Sequence, residues 1–273
     1  MDLQLNGKRA LVTGSSSGIG RGIATTLARE GATVVVHGRN RERTEETAAA
    51  IREAGGIAHL AFGDLATDEG AAQVAEAVAA QTGGVDILVN NIGGTESYGG
   101  QMLSWFEISP DQWAATLQQN LVSAVRMVQA FVPAMREEGW GRVINISSGG
   151  GASPPESVPD YCAAKAGLNN LTVSLSKVLA RTGVTVNTVS PGCTRTDMFE
   201  RNLERMAEEN GWPDDYESRE ARFMDLGIFP CVSERYGRPE DVGTLVAFLA
   251  SPHSAFVNGA NYRIDGGQVQ SVN

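Results

Sequence analysis

The sequence predicts an α/β protein, one doubly wound parallel sheet of about seven strands carrying a helical lid, and three observations predict it. Seven short β-branched runs recur along the chain, most without strict polar alternation, as strands covered on both faces do. Longer amphipathic segments separate them, so strand and helix alternate in the way that gives right-handed crossovers. The first apolar run ends in a glycine-rich turn that opens directly into a helical pattern. The 273 residues contain no linker, repeat or low-complexity tract, so one domain over 1–273 is expected.

In chain order, strands are expected at 9–13, 33–37, 57–61, 85–90, 142–147, 184–189 and 261–265. Helices are expected between them at 19–30, 41–54, 68–81, 111–138, 161–181 and 239–250. Ligands of such a sheet sit at the carboxyl ends of the strands, where the strand order reverses. The alternation breaks once, with almost fifty strand-free residues between Val189 and Pro239. Connections that long inside a compact domain are usually lids or binding loops. A substrate lid over 193–236 is therefore expected, with short helices at 197–210 and 215–226.

Composition narrows the function classes. A formal net charge of −10 disfavours a nucleic-acid binder, whose affinity comes largely from clustered Lys and Arg. Cys162, Cys193 and Cys231 are odd in number and lack CxxC spacing, which reads as reduced thiols in a cytoplasmic protein. His37, His59 and His253 are equally scattered, so no metal site is legible. The N-terminus enters a strand without a signal-peptide core, and no stretch approaches the roughly 20 apolar residues of a membrane span.

Three motifs carry chemistry. In Thr13-Gly14-Ser15-Ser16-Ser17-Gly18-Ile19-Gly20, glycines permit a tight strand-to-helix turn and let a diphosphate approach a helix N-terminus. The spacing is not that of the standard dinucleotide fingerprint, and a bare turn with close helix packing is the structural alternative. About twenty residues on, where an acid would meet a ribose 2′-hydroxyl, the chain has Gly38 followed by Arg39. Arg can pair with a 2′-phosphate, so NADP(H) is favoured and NAD(H) stays open; alternatively Arg39 and Arg41 are solvated cations opening a helix. Third, Tyr161 and Lys165 share a helix face, and the ammonium is expected to lower the phenol pKa toward working pH for proton transfer to or from a carbonyl oxygen. With 5 Tyr and three Lys in the chain, chance supplies only about 0.05 such pairs, although a structural Tyr on a helix remains the alternative.

These motifs, with Asp64-Leu65, Asn90-Asn91-Ile92-Gly93, Asn120, Ser148, Pro191-Gly192 and Ile264-Asp265-Gly266-Gly267, resemble the classical short-chain dehydrogenase/reductases, in particular the 3-oxoacyl-reductase-like branch. The resemblance runs over essentially the whole chain and implies a Rossmann-type fold. It implies a catalytic tetrad of Asn120, Ser148, Tyr161 and Lys165, with Ser148 on the substrate oxygen, Tyr161 as acid, Lys165 on the ribose and Asn120 holding a water. It further implies cofactor contacts from Gly14, Ser16, Ser17, Gly18, Ile19, Gly20, Arg39, Asp64, Leu65, Asn91, Gly93, Tyr161, Lys165, Pro191, Gly192, Thr194 and Thr196. Asp64 would receive adenine, Asn91 would line the cofactor and Thr196 would touch the carboxamide. Asp265-Gly266-Gly267 would serve subunit packing, in a tetramer or dimer built on the two long helices. Ile92 departs from the family's usual Ala and would crowd the cofactor floor slightly.

The lid speaks to substrate. Seven of the chain's nineteen Met, Trp and Phe residues fall within 198–231, where an even spread gives about 2.4, which suits a moderately bulky apolar ketone or alcohol. Ordinary lid packing is the alternative. Residues 94–100 and 149–158 should form the second wall, with Tyr98 and Trp105 as candidate contacts. The same lid stretch holds nine acids and four arginines, a net of −5 that disfavours carrier-protein or coenzyme A thioesters. The turn Met135-Arg136-Glu137-Glu138-Gly139 likewise offers no basic docking surface. The leading expectation is an NADPH-dependent carbonyl reductase acting on a small molecule, reversible as an alcohol dehydrogenase. A 3-oxoacyl reductase, an NAD-dependent alcohol dehydrogenase and a catalytically silent NADP-binding regulator are the alternatives.

Overall fold

The computed structural model describes residues 1–94, 103 and 105–270. Its strands are β1 (Arg9–Val12), β2 (Thr33–Gly38), β3 (Ile57–Phe62), β4 (Ile87–Asn90), β5 (Gly141–Ile146), β6 (Val184–Pro191) and β7 (Asn261–Ile264). They form one parallel sheet in the order β3-β2-β1-β4-β5-β6-β7. The order reverses between β1 and β4, where Leu11 pairs with Leu88 on one side and Val35 on the other. A crevice at the carboxyl ends of those two strands follows from that reversal.

The helices are α1 (Gly18–Arg29), α2 (Arg41–Glu53), α3 (Asp68–Thr82), α4 (Pro110–Leu117), α5 (Ser123–Glu138), α6 (Pro159–Val178), α7 (Asp197–Asn210), α8 (Tyr216–Asp225) and α9 (Pro239–Ala250). Two apolar layers sandwich the sheet. Ala10, Val12, Val34 and Val36 pack against Ile23 and Leu27 of α1 and Val242 and Val246 of α9. Leu11, Val35 and Leu88 point the other way, onto Val74 of α3 and Met127 and Phe131 of α5. Both faces are apolar, so the twofold alternation of side chains leaves no polar trace in the sequence.

The helix expected over 111–138 is interrupted. A π-helical turn, Gln118–Val122, joins α4 to α5 and carries Asn120, whose Nδ2 donates to the Thr116 carbonyl at 3.1 Å. Wide turns of this kind recur at functional sites because they re-aim one side chain. Among the described residues, no helix is long and apolar enough to cross a membrane.

The excursion between β6 and α9 carries α7 and α8, close to the bounds expected for the two short helices. It has a small core of its own in which Leu203, Phe223 and Tyr236 are buried. Phe199, Met206, Trp212, Met224 and Phe229 pack against that core, and Phe199 meets Phe223 and Tyr236 edge-on at 5.5 Å. Six of the seven Met, Trp and Phe residues counted in the sequence are thus spent on the excursion itself, and Met198 alone is exposed. The interior packing accounts for their enrichment without reference to a substrate.

Candidate active site

The turn between β1 and α1 is built to leave room for a ligand. Gly14 (φ +64°) and Gly18 (φ +53°) hold left-handed backbone that glycine adopts without strain. Ser17 at the N-cap of α1 makes no side-chain bond to the helix, and its first turn carries no acid. Uncapped N–H groups at a helix N-terminus favour an anion, so this cradle fits a dinucleotide pyrophosphate.

Several side chains fasten the turn from behind. The Gly14 N–H donates to Nδ1 of His37 at 3.0 Å, while Nε2 of the same ring donates to the Gly63 carbonyl at 3.1 Å. These partners fix a neutral ring, and burial pushes its pKa down to about 4. The Ser15 hydroxyl accepts from the His37 N–H at 2.9 Å and donates to the Val12 carbonyl at 2.7 Å. Just past the end of β4, Asn91 Nδ2 donates to the carbonyls of Thr13 (2.9 Å) and Gly14 (3.1 Å). The Asn91 amide nitrogen thus holds the glycine turn in place. Ile92 packs its Cγ1 near Gly14, within 3.1 Å of where a Cβ on that glycine would stand.

At the end of β2, a Cβ on Gly38 would lie 2.4 Å from Thr44 Oγ1 and 2.9 Å from Ser16 Cβ. The position cannot take a carboxylate without moving its neighbours. Arg39 Nη1 lies 3.9 Å from Asp64 Oδ2, both side chains being about half exposed over the crevice. Leu65 is fully buried in the sheet's second layer, so its side chain packs in the core and does not line the crevice.

The four tetrad candidates converge at the carboxyl ends of β4 and β5. Ser148 follows β5, and its hydroxyl stands beside the half-buried Tyr161 phenol in the first turn of α6, near enough to act on its pKa. Lys165, one helical turn later, is buried; its Nζ lies 5.6 Å from the Tyr161 ring centre and donates to the Ile146 carbonyl at 2.9 Å. Asn120 Oδ1 accepts the Gly94 N–H at 2.9 Å. A Cβ on Gly93 would stand 2.5 Å from Lys165 Nζ and 2.7 Å from Asn120 Oδ1, so Gly93 is the point where α6 and the π turn meet.

The electrostatics differ from the sequence expectation. Burial raises the Tyr161 pKa, and the neighbouring Ser148 hydroxyl opposes that rise only in part. Burial also pushes Lys165 down to about 8. The expected lowering of the phenol pKa by a fully charged lysine is not what this arrangement gives, because desolvation acts on both groups and opposes both charges.

Pro191 ends β6, and the Gly192 N–H donates to the Ile264 carbonyl at 3.1 Å. Thr194 is buried, its hydroxyl donating to the Gly192 carbonyl at 3.0 Å. Thr196 caps α7 and sets its Cγ2 3.2 Å from where a Cβ on Gly18 would be, so the excursion rests on the glycine turn. An ion pair of 2.7 Å between Arg21 and Asp197 joins α1 to α7 at the same place. Tyr98 and most of its loop lie outside the described residues, and Trp105 is exposed, its ring tilted against that of Trp113 at 5.2 Å. A cavity of about 880 Å³ lies under α8 beside Arg195, Glu220 and Asp265, and Tyr161 does not line it.

Residues 8–207 match the family model described as short chain dehydrogenase. The chain belongs to the short-chain dehydrogenases. An oxidoreductase of Bacillus subtilis, YvaG, is 38% identical over the full length of both chains. The 3-oxoacyl-(acyl-carrier-protein) reductase FabG of Aquifex aeolicus is 34% identical over 98% of this chain and 99% of its own. Among solved structures, L-sorbose reductase of Gluconobacter frateurii, complexed with NADPH and L-sorbose, superposes with a TM-score of 0.90 at 30% identity over the whole of both chains.

Within this short-chain dehydrogenase the residues missed in the sequence are those that act on others. His37 stood out only as one of three scattered histidines, although a polar ring closing a Val-Val-Val strand demands partners. Arg195 and Glu220 form a two-pronged ion pair at the excursion's base, Nε to Oε1 at 2.7 Å with Glu220 buried, and no spacing signals it. Asp265-Gly266-Gly267 closes a turn within the chain: Asp265 accepts from the N–H groups of Gly267 and Val269.

Proposed function

We propose that the protein is an NADP(H)-dependent carbonyl reductase, reversible as an alcohol dehydrogenase, acting on a small free ketone, aldehyde or alcohol. The observation that carries this is the convergence of Ser148, Tyr161, Lys165 and Asn120 beside the glycine cradle. When bound, the nicotinamide supplies or accepts the hydride. Ser148 holds the substrate oxygen, and the Tyr161 hydroxyl, protonated at neutral pH because burial raises its pKa, gives the proton to the nascent alkoxide. Lys165 replaces that proton from a site where its own pKa of about 8 makes release easy, and Asn120 keeps Gly93 and Gly94 open beside the ammonium.

Choice of the phosphorylated cofactor rests on Gly38 and Arg39. The crowding around Gly38 bars the acid that would select a free ribose hydroxyl, and Arg39 offers a cation beside it. The α7–α8 excursion serves as the lid over 193–236, in a cytoplasmic homo-oligomer. With the lid aromatics committed to their own core, the case for an apolar substrate rests on the uncharged reaction group alone. A free small molecule is favoured over a carrier thioester because Glu137 and Glu138 offset Arg136 at the end of α5. In the test, Tyr161→Phe loses turnover by about a hundredfold or more while NADPH affinity stays within about twofold, measured by fluorescence titration. Near-normal turnover in that variant overturns the assignment.

A further inference from the structure

The lid is held at both ends by one short turn from the C-terminus of the same chain. Asp265 is followed by Gly266 (φ +59°) and Gly267 (φ +78°), two consecutive left-handed residues. Asp265 locks the turn by accepting from Gly267 N–H at 3.1 Å and Val269 N–H at 3.0 Å. At the lid's first root, Gln268 Oε1 accepts the Cys193 N–H at 2.8 Å and stands 2.6 Å from where a Cβ on Gly192 would be. At the second root, the Gly266 carbonyl accepts the N–H groups of Val232 (2.8 Å) and Ser233 (3.2 Å). The two roots also meet each other, Gly237 N–H donating to the Cys193 carbonyl at 3.1 Å. On the far side of the turn, Val269 Cγ2 reaches 2.8 Å from where a Cβ on Gly149, next to Ser148, would stand.

We propose that the C-terminal turn 264–269 is an intramolecular clamp that sets both roots of the lid against the reaction site, and that Gln268 is its positioning residue for the turn 191–194. The functional part of this statement rests on the reading of that turn as the nicotinamide side of an oxidoreductase site. The mechanical part does not. The side chain of Gln268 supplies the acceptor for a backbone donor that has no other partner among the described residues. Its loss frees the first root alone. Loss of the Asp265 carboxylate unlocks the turn and frees both.

Hydrogen–deuterium exchange on the full-length protein separates these outcomes. In Gln268→Leu, exchange over 191–196 is expected to rise about tenfold, the factor for one part-buried backbone donor left unpaired, with 230–236 and 13–20 unchanged. Gln268→Glu keeps an Oε acceptor and restores wild-type exchange. Asp265→Ala raises exchange at both roots; should it fail to fold, the Gln268 pair still decides. Unchanged exchange over 191–196 in Gln268→Leu, or equal loosening in Gln268→Glu, overturns the clamp. The functional reading is judged separately, by NADPH titration of the wild-type protein. Absence of binding there counts against the reading while the exchange data still decide the clamp.

Discussion

Acid should loosen this protein through His37. The ring is about 1% exposed, held neutral between Gly14 N–H and the Gly63 carbonyl, with a pKa near 4 against 6.5 in the free side chain. Burial is the largest cause; the Gly63 bond and Asp64 work against it and Arg39 with it. The folded pKa is depressed, so the folded state binds the proton less readily than the unfolded chain. The stability is fully present above pH 6.5 and falls as pH drops toward 4. Between pH 8 and pH 5 the loss from this one group is about 2 kcal/mol. Urea unfolding of wild type and His37→Asn at the two pH values isolates it. Asn places its Oδ1 where Nδ1 stood, retains an acceptor for Gly14 and does not titrate. The wild type should lose about 2 kcal/mol more than the variant on going to pH 5. Parallel losses in the two proteins would refute the reasoning.

Three further substitutions probe the site. Arg39→Ala should raise the KM for NADPH about tenfold and leave that for NADH within about twofold, as for a half-exposed charge-assisted contact; a wild-type kcat/KM that favours NADH defeats the argument. Gly93→Ala puts a methyl 2.5 Å from Lys165 Nζ, so kcat should fall about a hundredfold in a protein of unchanged circular dichroism. Wild-type kcat in that variant would show that Lys165 can move freely. Glu220→Gln leaves Arg195 without its buried partner and should cost about 3 kcal/mol in urea unfolding, with a loss below about 1 kcal/mol counting against the pair's role.

The sheet was legible because its signal is redundant. Each strand repeats the same β-branched composition, and seven runs between amphipathic segments admit few topologies. The clustering of the tetrad candidates was legible for a related reason: Ser148, Tyr161 and Lys165 lie within eighteen residues, and helical spacing alone puts the last two on one face. Asn120 was expected in a plain helix because a π turn differs from an α turn by one backbone bond, which composition does not encode. The packing of the Asn91 and Leu65 side chains was not legible, because motif membership does not distinguish a side chain that faces a ligand from one that braces its neighbour. His37, Gln268 and the Arg195–Glu220 pair were hidden for another reason. Their partners are backbone groups or residues 23 to 75 positions away, and only the fold brings them together.

Two compositional signals on the α7–α8 excursion had opposite fates, and the difference decides what each can say about substrate. Aromatic and methionine side chains can satisfy themselves by packing on one another, so their enrichment in 198–231 was absorbed by the interior of the excursion. Carboxylates cannot do this, because burying an unpaired charge costs far more than leaving it in water. Of the nine acids in that stretch, Glu220 alone is buried, and Arg195 holds it there, whereas Asp214, paired with Arg219, stays exposed. The other eight remain at the surface. Their field reaches roughly a Debye length of about 8 Å at physiological salt, enough to act on a bulky polyanion approaching the lid but not on an uncharged molecule already beneath it. The charge therefore argues about the size and charge of what approaches, where the aromatics cannot.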